Sequence, residues 1–260
     1  MPQYFLKISF VGKRYHGWQI QDNAHTVQAE VNSAISGIVG KEIESIGCGR
    51  TDTGVHAKEF LLHFFIDEPL TSNFLFQLNG AFPRDIAAHN LYHMHDDAHA
   101  RYDAVKRTYK YYIHRSKDPF LNGFSCFFPR QLDINSLNKA AEYLKEYRTF
   151  TSFSKKSTKE ENNECTIYDA KWEEKGHQLI FTISANRFLR NMVRDITGTI
   201  LEIGTQERES GYIREVIEKK DRKAAGASVP SQGLYLTNVE YPYELERYEV
   251  GKEQGEDHRA

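Results

Sequence analysis

The chain has little cysteine, no C-x-x-C pair, no long apolar run and almost no excess charge of either sign. Its three cysteines, Cys48, Cys126 and Cys165, are odd in number and far apart. That argues against a disulfide framework or a zinc site and favours a reducing compartment. No segment approaches the roughly 20 apolar residues that cross a bilayer. The opening MPQYFLKISF has no basic region followed by an apolar stretch. The expectation is a cytoplasmic protein with no membrane partner. Formal net charge is −2, so bulk charge points to no polyanion. The sum hides a distribution. Residues 243–260 hold six acidic and three basic side chains, and the rest of the chain has 31 basic against 30 acidic. Any anion would be met by a local patch.

With 260 residues, 40% of them hydrophobic, the chain can bury a core in one or two domains. Residues 4–11 alternate as a half-buried strand. Val27, Val31, Ala34, Ile35 and Ile38 fall on one helical face behind Thr26, a suitable N-cap. Strands are expected at 43–48, 60–66 and 87–95, and a helix over 72–81. The order is β-α-β-β-α-β. It then recurs without any repeat of sequence: a strand at 105–115, a helix capped by Asp133 with Ile134, Leu137, Ala141 and Leu144 on one face, and a hairpin of 166–172 and 178–184. A helical stripe of Leu189, Val193, Ile196, Ile200 and Ile203 follows, then a helix over 210–220 and a strand at 234–240. The expected fold is α+β, with two β-α-β-β-α-β (ferredoxin/RRM-like) subdomains, residues 1–103 and 104–242. Their mixed or antiparallel sheets would be joined, with a catalytic cleft between them. The polar stretch at 151–164 reads as a mobile loop, and 243–260 as a charged, partly disordered tail.

Five stretches carry candidate chemistry. GRTDTGVHA, residues 49–57, puts Asp52 on a glycine-containing polar loop with Arg50 beside it. Asp-Thr-Gly suggests an aspartic protease, but that chemistry needs two such loops and the chain has one. The plain alternative is an Asx-turn. Residues 99–117, HARYDAVKRTYKYYIHRSK, are rich in arginine, lysine and tyrosine. On a strand Arg107, Tyr109, Tyr111 and Arg115 share a face, and guanidinium groups beside rings suit phosphates and stacked bases; an ordinary solvated strand fits as well. Arg187, Arg190 and Arg194 flank the apolar stripe and suggest anion binding. His93 and His95 would project together on a strand, but their spacing is no metal signature, and no metal is expected. RYHGWQ reads as an RNA-contact or packing loop anchored by Trp18.

GRTDTGVHA, KRTYKYY, FTSFS, NRFLRNMVRD and GLYL, in this order, resemble the transfer-RNA pseudouridine synthase A family, over residues 4–241. Thr53 stands where the family commonly has alanine. Arg187 stands where an apolar or small residue is often found, so no family role is carried onto it. The resemblance implies isomerisation of uridine to pseudouridine on the 3′ side of the anticodon stem-loop. It matches Asp52 to the catalytic aspartate, Tyr109 to the active-site tyrosine and Arg194 to the arginine that pairs with the aspartate. It implies a homodimer that places transfer RNA across both subunits and needs no metal or organic cofactor. Arg50, Arg107, Lys110 and Arg190 are the further expected RNA contacts. The glycines of the Asp52 loop would let a nucleotide approach, and the Tyr109 hydroxyl could assist proton removal from C5. The residues leave open whether Asp52 attacks C1′, attacks C6 or removes the C2′ proton. A rival reading from another class is an RNA-binding module without catalysis. Asp52 discriminates, because a pure binder gains nothing from an anion in a phosphate-binding cleft.

Overall fold

The computed structural model describes residues 3–95, 97–154 and 163–245. Most of the expected mobile loop and tail therefore lies outside the described residues. In chain order the long strands are β1 (Gln3–Phe10), β3 (His56–Phe65), β4 (Ile86–Met94), β5 (Lys106–His114), β7 (Ile167–Lys175), β8 (Gln178–Ala185) and β9 (Leu234–Glu240), with short β2 (Ile46–Gly47) and β6 (Cys126–Phe127). The helices are α1 (Val27–Val39), α2 (Phe74–Ala81), α3 (Ile134–Tyr143), α4 (Met192–Gly204) and α5 (Tyr212–Lys219).

The strands form one mixed sheet in the order β4-β1-β3-β9-β5-β8-β7, with β2 beside β3 and β6 beside β5. The pattern recurs: β4-β1-β3-β2 in the first half matches β9-β5-β8-β7 in the second. Pairing is antiparallel within each of these groups, and the halves join where β9 runs parallel to β3, with His56 opposite Tyr235 and Ala57 opposite Leu236.

Local signals explain the helices. The Thr26 hydroxyl accepts from Ala29 N, and Val27, Val31 and Ile35 turn inward from α1. Asp133 accepts from Asn135 N at 3.0 Å and from the Ser136 hydroxyl at 2.6 Å at the start of α3. α4 is buried nearly all round, so it runs through the core rather than along its surface. It starts at Met192, after Asn191 in the left-handed region, so Leu189 packs ahead of the helix.

Two expected strands differ. Over 43–48 only Ile46 and Gly47 join the sheet. The preceding backbone is taken up by α1: Ile43 N donates to the Ser36 hydroxyl, Ser45 N to Asn32 Oδ1, and Gln28 Nε2 to the Ser45 carbonyl. β3 begins at His56 rather than Phe60, because His56 and Ala57 pair with β9 and Ala57 also pairs with Phe10 of β1.

Candidate active site

Asp52 sits on the turn between β2 and β3. Its loop is held from one side by residues 12–18. Trp18 N donates to the Thr51 carbonyl at 3.4 Å and Gly54 N to the Tyr15 carbonyl at 3.2 Å, while Val55 N closes a turn onto the Asp52 carbonyl at 3.1 Å. Gly17 has φ +83, and a Cβ there would lie 2.2 Å from the Thr51 carbonyl oxygen, so only glycine fits. Trp18 is buried, its ring centroid 4.3 Å from that of Phe60. RYHGWQ is thus a packing loop that braces the aspartate. Gly12 N donates to His56 Nδ1 at 3.1 Å, and burial holds the His56 pKa below its usual range.

Arg194 approaches Asp52 from α4. Its Nη1 lies 3.8 Å from Asp52 Oδ2, an ion-pair distance longer than a hydrogen bond, with both side chains partly buried. Arg194 Nε donates to the Val229 carbonyl at 2.8 Å, which fixes the plane of the guanidinium. The segment supplying that carbonyl is itself tied down. Arg222 donates to Asp195 at 2.9 Å and to the Ala225 and Gly226 carbonyls, and the Ser228 hydroxyl also bonds Asp195. Asp195 is fully buried, and burial raises its pKa despite Ser228 and Arg222.

Tyr109, on β5, completes the group. It is buried, with the Phe188 ring edge-on at 5.2 Å. Burial pushes its hydroxyl well above the usual tyrosine range; Cys48 adds to this, Arg107 opposes it, and Asp52 adds further. Asp52 is therefore near enough to be felt electrostatically. A tyrosinate is disfavoured here, so the hydroxyl suits donation rather than proton removal. Two residues further along the same face, the Tyr111 hydroxyl donates to the Pro230 carbonyl at 2.8 Å.

The other expected contacts divide. Arg50 and Arg190 are exposed and form no hydrogen bond or ion pair among the described residues. Arg190 precedes α4, so of the three arginines only Arg194 is on the helix. Lys110 is on the opposite face of β5 from Tyr109: it pairs with Thr182 and Tyr235, where Tyr109 pairs with Ile183 and Leu236. It does not line the Asp52 site. Arg107 is spent on the protein itself. Nε and Nη2 donate to the Cys48 carbonyl at 3.1 and 2.7 Å, Nη1 to the Ala104 and Asn186 carbonyls at 2.9 and 2.7 Å, and Nη2 to the Arg101 carbonyl at 2.6 Å. All five of its N–H groups are used, which leaves none for a phosphate. Gly54, expected to open the loop to a nucleotide, instead meets protein: a Cβ there would stand 2.6 Å from Ser231 Oγ.

The 225–231 segment was not anticipated. Its contribution is through backbone carbonyls at Val229 and Pro230, which side-chain identity does not announce. Among the described residues no group of three or more His, Cys, Asp or Glu could hold a metal ion. His95 packs edge-on against Tyr243. No helix among these residues is long and apolar enough to cross a membrane.

A family model described as tRNA pseudouridine synthase matches residues 140–242. A "tRNA pseudouridine synthase A" of Parabacteroides distasonis is 44% identical over 248 residues, covering 94% of this chain and 98% of its own. One from Porphyromonas gingivalis is 44% identical over 250 residues, covering 94% and 99%. A "tRNA pseudouridine synthase A 2" of Bacillus cereus is 36% identical over 245 residues, covering 93% and 100%. With a buried Tyr109 and an Asp52–Arg194 pair at the meeting of the half-sheets, and with likeness along nearly the whole chain, the protein is an enzyme of the tRNA pseudouridine synthase A family.

Proposed function

We propose that the protein isomerises uridine to pseudouridine in transfer RNA, on the 3′ side of the anticodon stem-loop. The observation that carries the reaction is the Asp52–Arg194 pair, with the Val229 carbonyl orienting the arginine, while the position in the RNA is what the family resemblance implies. The rearrangement breaks the N1–C1′ bond and makes a C5–C1′ bond. The proton on C5 is lost and N1 gains one, with no net redox change. Asp52 acts as nucleophile or base, and for either role it must be ionised. Arg194 favours that state by its charge and limits where the carboxylate can point. The target uridine leaves its stack, and a ring is needed to receive it. Tyr109 stacks on the flipped base, its hydroxyl donating rather than accepting a proton. Exposed Arg50 and Arg190 meet phosphates. Residues 1–103 and 104–242 are taken as two subdomains, with the RNA entering where they meet; the β3–β9 junction beside the Asp52 loop supports this division.

The test is incubation with uridine-labelled transfer RNA, then nucleoside analysis and mapping of the modified position. Wild type should yield pseudouridine in the anticodon arm. Asp52→Asn should yield none while still binding the RNA. Substantial turnover by Asp52→Asn would sink the assignment of Asp52. Binding without product in wild type would leave an RNA-binding protein in place of the enzyme.

A further inference from the structure

We propose that Arg107 is the positioning residue that holds the two halves of this active site in register; the proposal rests on the functional reading above. Its guanidinium gathers carbonyls from three separate segments. Cys48 begins the loop that carries Asp52. Arg101 and Ala104 belong to the crossover from β4 to β5. Asn186 begins the segment that carries Phe188 and leads into α4 with Arg194. Arg107 itself is on β5, two residues before Tyr109 and on the same face. One side chain thus links the backbone bearing Asp52, the strand bearing Tyr109 and the connection leading to Arg194.

The chemistry favours arginine for this task. Four carbonyl oxygens, one accepting twice, surround a planar cation with five donors in a fixed fork. A lysine offers three donors from a single atom and cannot reach oxygens arranged around a plane. Without such a donor set the part-buried carbonyls of Cys48, Ala104 and Asn186 would lose their partner. The position also matters electrostatically, because Arg107 is among the charges that oppose the upward shift at Tyr109. Arg107 touches no reacting atom in this arrangement. It acts through the distance between Asp52 and Arg194.

The test compares wild type with Arg107→Lys and Arg107→Gln. Transfer-RNA affinity should stay within about threefold. The salt slope of binding should not change, whereas a lost phosphate contact would reduce it by about 0.7–0.9. The single-turnover rate constant of the bound complex should fall by about 10- to 100-fold, with lysine milder than glutamine. The acid limb of the pH–rate profile should move to higher pH, because Asp52 and Arg194 drift apart. Merely structural damage would lower the reaction amplitude and leave that limb where it is. Hydrogen exchange should quicken together in residues 48–55 and 186–191 and stay unchanged in α5. A reduced salt slope with an unchanged bound-state rate would overturn the proposal and make Arg107 a phosphate contact. So would unchanged rates, exchange confined to one segment, or failure of both variants to fold. Absence of pseudouridine with wild type would defeat the functional reading instead, and the exchange result would still decide the role of Arg107.

Discussion

Arg194 reaches Asp52 at 3.8 Å with its own orientation fixed by the Val229 carbonyl at 2.8 Å. A partly buried carboxylate that loses its cation favours the protonated form. Arg194→Ala should therefore move the acid limb of the single-turnover profile upward by about 1–3 pH units. Activity should be low at neutral pH and recover in part as pH rises. Arg194→Lys should restore charge but not the two-point geometry, and so only part of the rate. Profiles for both variants that overlay wild type would reduce Arg194 to a packing residue.

Tyr109 is raised in pKa chiefly by burial, so the phenol should keep its proton throughout the working range. The bound-state rate of wild type should then show no tenfold rise per unit above pH 8, which a tyrosinate base would produce. Tyr109→Phe should bind RNA as wild type does. Tyr109→Leu should weaken binding by about 1–3 kcal/mol, the usual worth of one base–aromatic stack. Equal affinities for Phe and Leu would remove the stacking role.

Gly198 faces the segment that supports Arg194. A Cβ there would stand 1.9 Å from the Ala227 carbonyl oxygen. Gly198→Ala should cost about 1–3 kcal/mol of stability, as overpacking does. It should also slow turnover by displacing the nearby Val229 carbonyl. Gly37, inside α1, has nothing within 4 Å of its added Cβ. Gly37→Ala should stabilise by about 0.5–1 kcal/mol without changing activity. Urea unfolding and single-turnover assays of both variants check the contrast.

His63 is buried, accepts from Ala100 N at 3.1 Å, and packs against His99 at 4.7 Å between ring centroids. Burial and then His99 lower its pKa to about 4, against a smaller opposing effect of Asp103. The unfolded chain binds this proton first as pH falls, so folded stability declines between about pH 6.5 and 4. The full effect is on the order of 3 kcal/mol. His56 and His99 are lowered in the same direction, again chiefly by burial. Denaturant midpoints should fall across that window, and His63→Phe should flatten part of the slope. A His63→Phe slope equal to wild type would place the acid sensitivity elsewhere.

Legibility in the sequence followed the range of the interaction. α1 and α3 could be read because period and cap are local and carried by side chains. β9 was legible to the residue from its own composition. β2 shrank because Gln28, Asn32 and Ser36 bind its approach, a competition that only the folded helix creates. The early start of β3 depends on pairing on both sides, with Phe10 of β1 and with β9 far along the chain. At the site, Asp52, Tyr109 and Arg194 were marked by residue type in distinctive blocks, and the structure brings them together. Arg107 and Lys110 looked like RNA contacts because strand residues were judged by charge. The partners of Arg107 are carbonyls, which are the same at every residue. Lys110 was separated from the site by the alternation of the strand.

The placement of β9 has a consequence for biosynthesis. It is the last strand described, yet it lies between β3 and β5 near the centre of the sheet. Until residue 240 has left the ribosome, those two strands have no common neighbour among the described elements. The first half can pair its own strands much earlier during translation. The Asp52 loop then waits with the β9-facing edge at the start of β3 open beside it, available to other nascent chains. Closure by β9 is a long-range event and should be the slow, late step of maturation. Protection from pulsed proteolysis near His56 should therefore come only after β9 has emerged.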